Sequence, residues 1–237
     1  MKGKDINKLP TDGYLVFPLS MSRLQNDQSP KKCMEYMQNF DKKVSIPGLD
    51  VVFLYTNGLY FNTDENSFAV RKKTNSEMLA HRNALKRMIV HKETEPWYMP
   101  QAFHFLPFDY VMLNSDYFQS FFEKLQKAFQ KDAKFKELVL EALEGREHTP
   151  ANINFMLEEL VLDHIIRLKL VEFPKTLVKD DTFRLMVYPG PALNVQGHIW
   201  KNKILPRKGL KNLVRYYNCA YDPKEKVLYN FDKFEGK

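Results

Sequence analysis

The sequence predicts an α/β fold built on a largely parallel sheet. Short apolar runs alternate with longer helical segments, the order expected of strands joined by helical crossovers. The runs at 14–19 and 51–55 are apolar at nearly every position rather than every second one, as strands covered on both faces are. With 237 residues, 44% of them hydrophobic, the chain is long enough for one large core, and residues 1–237 are expected to form a single domain.

The stretch GYLVFPLSMSR opens the argument. It reads as a strand over 14–19 that turns at Pro18 and presents Ser20 and Ser22 in a loop. The exit of a strand is where open α/β sheets keep their chemistry, although both serines could equally cap the helix that follows. PKKCMEYMQNF is compatible with that helix, and the second strand comes at 51–55. In TNSEMLAHRNALKRMIVHKE, Thr74 or Ser76 can cap, Glu77 stands at capping-box spacing from Thr74, and Met78, Leu79, Leu85, Met88 and Ile89 make an apolar stripe opposite a basic face. Residues 95–114 are irregular, rich in aromatics and prolines, and hold one strand. Residues 115–145 form a long helical stretch with a break near Asp132 and a close at Gly145. Thr149-Pro150 starts another long helix that Pro174 ends. A strand follows in DTFRLMVYPGP, and the tail reads as two strands around Asp222-Pro223.

Several classes of function are disfavoured. No GxGxxG or GxxxxGK[ST] occurs and the chain has only nine glycines, so dinucleotide and P-loop sites lack support. The six histidines and two cysteines show no ligand spacing, and no metal or other cofactor is expected. GxSxG is missing, which removes the α/β-hydrolase elbow. No run of about 18 apolar residues or leader-like start is present, so a cytoplasmic protein that does not enter membranes, and a monomer, is expected. The net charge of +7 favours an anionic partner.

Three segments, taken together, resemble the tRNA-dependent cyclodipeptide synthases. They are LVFPLSMS, where that family ends an apolar strand in a nucleophilic serine; KAFQKDAKF with NINFMLEEL, where the helix carries an aromatic residue and then a glutamate four positions later; and RLMVYPG, a strand ending in tyrosine. The matching residues are Ser20, Phe155, Glu159 and Tyr188, and Pro189 after the tyrosine fits the subfamily with a Tyr-Pro pair. The match runs from about residue 14 to 190 in the family's order. It departs at Phe155, where the family usually has tyrosine. The resemblance implies a Rossmann-like three-layer fold, similar to the catalytic domain of class I aminoacyl-tRNA synthetases, although HIGH-like and KMSKS-like sequences for ATP-dependent charging are lacking.

The same resemblance implies an aminoacyltransferase that joins two aminoacyl groups from two aminoacyl-tRNAs into a diketopiperazine, by ping-pong chemistry through aminoacyl- and dipeptidyl-serine. An aminoacyl-tRNA is already an activated ester, so a serine without a histidine beside it suffices if positioning is good. Ser20 is the implied nucleophile, with Ser22 the alternative two residues on. Glu159 would hold the substrate ammonium and Tyr188 relay a proton. Val16, Pro18, Phe155 and Met156 would line the aminoacyl pockets. Arg71, Lys72 and Lys73, read as preceding the basic helix, and Arg82, Lys86 and Arg87 on it, would meet tRNA phosphates. A solvated charged face is the plainer explanation of those six. A non-catalytic RNA-binding α/β module is the rival reading for the whole chain.

Overall fold

In a computed structural model, the chain is described at residues 13–41, 49–57, 68–91, 102–143, 145–168, 170–171, 184–186, 193–206, 216–217, 219–222 and 227–230. Strands β1 (Gly13–Leu19), β2 (Leu49–Tyr55), β3 (Ala102–Pro107), β4 (Arg184–Met186) and β5 (Tyr216–Tyr217) form one sheet in the order β3-β2-β1-β4-β5. Every pairing in it is parallel. The chain leaves β1 towards β2 and β3 on one side and returns to β4 and β5 on the other. The switch in direction therefore falls beside β1, where open sheets of this kind form their ligand crevice at the carboxyl ends of the strands.

The two apolar runs are buried on both faces, as their composition requires. Leu15, Phe17, Leu19, Val51, Phe53 and Tyr55 point one way, into a cluster completed by α1 (Pro30–Asp41) and α2 (Phe68–His91). Val16, Val52 and Leu54 point the other way, into a much larger cluster. That second layer holds α3 (Phe108–Leu113), α4 (Phe118–Lys131), α5 (Ala133–Ala142), α6 (Pro150–Arg167) and α7 (Asn194–Asn202). Burying each large apolar side chain contributes roughly 1.5–3 kcal/mol before conformational entropy is counted, so the larger cluster supplies most of the cohesion. Beyond the main sheet, β6 (Cys219–Asp222) and β7 (Val227–Asn230) pair antiparallel, and the turn expected at Asp222-Pro223 falls on residues 223–226, outside the described ones.

Local signals explain several boundaries. The helical stretch breaks at Asp132, which ends α4 and caps α5 by accepting a bond from the Phe135 amide at 2.9 Å. Gly145 has φ +84°, a left-handed turn that a side chain would strain, after α5 has closed. Thr149 caps α6 through the Asn152 amide, with Pro150 in its first turn.

Other expectations need correction. The basic helix does not start at Thr74 or Ser76 but at Phe68, so Arg71, Lys72 and Lys73 lie inside α2 rather than before it. The hydroxyls that looked like caps bond backwards instead: Thr74 Oγ1 reaches the Val70 carbonyl and Ser76 Oγ donates to that of Lys72. Helix α6 ends at Arg167, well before Pro174, and residues 172–180 lie outside the described ones. The chain does not turn at Pro18; β1 continues through it to Leu19. Helix α7 was not anticipated; it contains Gly197 and buries only Val195 and Ile199, while the first strand read in the tail supplies both the two-residue β5 and β6.

Candidate active site

Ser20 follows the last residue of the central strand, at the carboxyl end of β1 and the switch point of the sheet. It begins a short 3-10 turn, Met21–Arg23, and stands at the N-cap position, yet its side chain makes no capping bond. Capping therefore does not account for this serine. Its Oγ lies 3.1 Å from Ser22 Oγ, so the two candidate hydroxyls touch, with Ser20 buried and Ser22 exposed.

The backbone around Ser20 is held by two other side chains. Its N–H donates to Gln28 Oε1 at 2.7 Å, and its carbonyl accepts from the Arg23 amide at 3.0 Å. The preceding carbonyl, of Leu19, accepts from the Thr56 amide at 3.0 Å and from Thr56 Oγ1 at 3.1 Å. Met21 N–H reaches the same Thr56 oxygen at 3.4 Å. Thr56 follows β2, so the exits of β1 and β2 are tied together.

Behind Gln28 is a buried polar array. The Gln28 carbonyl accepts from His81 Nε2 at 2.8 Å and from the Cys33 thiol at 3.3 Å, and His81 Nδ1 lies 3.0 Å from the Tyr55 hydroxyl. A carbonyl needs a donor, so Nε2 carries the proton and Nδ1 accepts from Tyr55. Burial lowers the His81 pKa, with the Gln28 bond opposing, which fits a neutral ring. Burial pushes the Tyr55 phenol far up, aided by Cys33 and opposed by Arg82. Burial, then Asp27, likewise keeps Cys33 a thiol.

Helix α2 is fixed against this end of the sheet by Asn57. Its Nδ2 donates to Asn75 Oδ1 at 2.6 Å, and its Oδ1 accepts from the Phe108 amide at 3.1 Å, joining α2 and the start of α3 to the β2 exit. Arg71, Lys72, Lys73, Lys86 and Arg87 are exposed. Arg82 is half-buried, and its Nε is shielded from solvent without a hydrogen-bond partner among the described residues. At about 100° per residue, Arg71, Lys72, Arg82 and Lys86 share one flank of the helix, whereas Lys73 and Arg87 point farther round. The structure thus groups four of the six on one side.

Phe155 and Met156 join Val16 in the larger core cluster, exposed by only 6% and 4%. Pro18 is buried as well. The guanidinium of Arg146 lies over the Phe155 ring, 4.4 Å from its centroid, with Nη1 buried and unpartnered among the described residues. Glu159 is half-buried on α6, while its neighbour Glu158 is withdrawn from solvent completely. Tyr188 and Pro189 lie outside the described residues. Among the described residues, no three His, Cys, Asp or Glu side chains converge as metal ligands, and no helix is long and apolar enough to cross a membrane.

Sequence reasoning missed Gln28, Thr56, His81 and Glu158. Only His81 left a signal: it interrupts the stripe of Met78, Leu85 and Met88 where helical spacing calls for an apolar side chain. A polar group in that place must find partners, and it does.

The architecture is that of known enzymes. A cyclodipeptide synthase from Fluoribacter dumoffii superimposes with a TM-score of 0.52 at 12% identity, covering 86% of this chain and 87% of that one. A Mycobacterium tuberculosis protein, described as demonstrating that cyclodipeptide synthetases are related to type I tRNA synthetases, gives 0.50 at 13% identity over 84% and 80%. The fold is shared. This is the Rossmann-like α/β arrangement that the strand order had already indicated. No protein-family model and no curated protein sequence matches the chain.

Proposed function

We propose that this chain is a tRNA-dependent cyclodipeptide synthase of the Tyr-Pro kind, with Ser20 as the nucleophile. The observation that carries the reading is the state of Ser20: its flanking peptide groups are bound by Gln28, Thr56 and Arg23, while its hydroxyl caps nothing and, among the described residues, meets only another serine. It does so at the switch point of a fold shared with cyclodipeptide synthases.

In the proposed cycle Ser20 Oγ attacks the ester carbonyl of an aminoacyl-tRNA. The bond to the terminal ribose breaks, the serine proton passes to the departing ribose oxygen, and an aminoacyl-serine remains. Its free amine then attacks the ester of a second aminoacyl-tRNA, giving a dipeptidyl-serine and a second free tRNA. The new terminal amine attacks the seryl ester, closing the six-membered ring and restoring the hydroxyl. Glu159 is assigned to the substrate ammonium and Tyr188 to proton transfer in the later steps. Arg82 gives the tRNA reading its best support, because a shielded, unpaired guanidinium nitrogen is costly unless a ligand completes it. With Arg71, Lys72 and Lys86 it forms a flank for phosphates, to which Lys73 and Arg87 would add from the outer side.

Incubating the protein with mixed aminoacyl-tRNAs should release cyclic dipeptides detectable by mass. Ser20→Ala should abolish both the product and covalent labelling of the protein, whereas Ser22→Ala should keep the label. Label that survives on Ser20→Ala but not on Ser22→Ala would move the nucleophile to Ser22. Tight tRNA binding with neither label nor product would favour the RNA-binding module.

A further inference from the structure

We propose that Gln28 and His81 are positioning residues for Ser20, which hold its backbone so that the hydroxyl alone is left to react. The proposal rests on the reading of Ser20 as the loaded nucleophile. Around that residue four consecutive backbone polar groups, from the Leu19 carbonyl to the Met21 amide, all have partners. The shortest of these bonds, at 2.7 Å, is the one Gln28 makes to the Ser20 amide. Gln28 is fully buried, and its own carbonyl is fixed by His81.

The Gln28 carbonyl can only accept and the Ser20 amide can only donate, and these two groups fix the direction of the bonds. Tyr55 O–H donates to His81 Nδ1, His81 Nε2–H donates to the Gln28 carbonyl, and the Gln28 side chain accepts from Ser20. Neither imidazole nitrogen is spare, so the ring serves as a strut and not as a base for Ser20 Oγ. This answers how a serine without an adjacent histidine is made useful: the histidine lies two bonds behind it, and orients the residue instead of deprotonating it. His81 and Leu85 are the only buried residues of α2, so the helix that carries the basic flank also braces the serine.

The test is single-turnover loading of the full chain by a radiolabelled aminoacyl-tRNA. Gln28→Leu removes the acceptor and should lower the maximal loading rate by about 10- to 100-fold, the scale of a misplaced reacting group. The tRNA concentration for half-maximal loading should stay within about threefold, because α2 still presents its cations. Gln28→Glu, which keeps a side-chain oxygen for the Ser20 amide, should recover most of the rate. Tyr55→Phe, which removes only a hydroxyl, should lower the maximal rate by about two- to tenfold, and it tests the array should Gln28→Leu fail to fold. The proposal is overturned if folded Gln28→Leu loads at the parent rate, if its loss falls on half-saturation instead, or if Gln28→Glu is no better than Gln28→Leu. If Gln28→Leu does not fold, parent-rate loading by Tyr55→Phe overturns it. A parent chain that never loads overturns the nucleophile reading itself, and this proposal with it.

Discussion

The two faces of the sheet treat positive charge in opposite ways. On one face α2 carries six Lys and Arg against a single carboxylate, Glu77, and buries only His81 and Leu85. On the other, α4 and α5 with the junction between them bring five lysines together with Glu123, Asp132, Glu137 and Glu141. There the charges are largely taken up at home. Lys134 pairs with Glu137 at 2.8 Å, and Lys124 and Lys136 lie over the rings of Phe121 and Phe129. On α2 Lys86 rests on the ring of Phe105, and none of Lys72, Lys73, Arg82, Lys86 and Arg87 meets a carboxylate among the described residues. A count of lysines therefore does not locate a binding surface. The surface proposed for tRNA is the one where five of the six cations have no described carboxylate beside them.

The contrast is most forcefully tested through packing. Phe135→Ala, in the thick layer, should cost about 3–5 kcal/mol and Leu85→Ala, under α2, about 2–5 kcal/mol, read from urea unfolding. At temperatures where both stay folded, Leu85→Ala should weaken tRNA binding and Phe135→Ala should not. Equal loss of binding in the two would erase the division of labour between faces. Charge gives the next largest effect. Replacing Arg82, Lys86 and Arg87 by Gln should flatten the salt dependence of tRNA binding by up to about three units, at slightly under one for each phosphate no longer neutralised. The same change at Lys127, Lys131 and Lys134 should leave the slope alone; matched slopes would return α2 to the status of a solvated face.

A smaller effect concerns acid. The Phe135 amide, and then His198, hold the Asp132 carboxyl below its ordinary range. A depressed folded pKa means that its contribution is complete above the unfolded value and disappears as pH falls through the folded one. Asp132→Ala should therefore cost about 1 kcal/mol near neutrality, as lost caps do, and the gap between parent and variant should begin to shrink only below about pH 4 and close once pH has fallen past the depressed folded pKa. A gap that persisted in acid would mean that the carboxylate is not what stabilises α5. The smallest change expected is from Phe155→Tyr, which restores the hydroxyl that the family resemblance leads one to expect. Beneath Arg146 that hydroxyl has little room to reach a substrate, so cyclic product should change by less than about tenfold by mass assay.

What could be foreseen from the sequence was what depends on neighbours within a turn or two. The double-sided burial of 51–55, the break at Asp132 and the Thr149-Pro150 start all rest on residues at most four apart, and each is found. The serine at the strand exit belongs with them. The start of α2 misled because a threonine that caps and one that bonds back to residue i−4 look alike in sequence. The support of Ser20 was hidden for a different reason: Gln28 lies eight residues away, Thr56 thirty-six, and the His81 bond to Gln28 spans fifty-three. Phe155 was correctly placed on a helix, but its burial under Arg146 is a matter of packing that no spacing announces.

Pro18 makes the two sides of β1 unequal. The Leu19 carbonyl bonds to Thr56, so residue 19 faces β2, and in an extended strand residue 18 must then face β4. The amide that proline lacks is missing on that side, so there Pro18 can accept a bond but not donate one. Pairing with β2, by contrast, runs the full length of β1 to Leu19 and Tyr55. Beside Ser20 one seam is thus stitched to its end, whereas on the other side Pro18 has a carbonyl to offer and no donor.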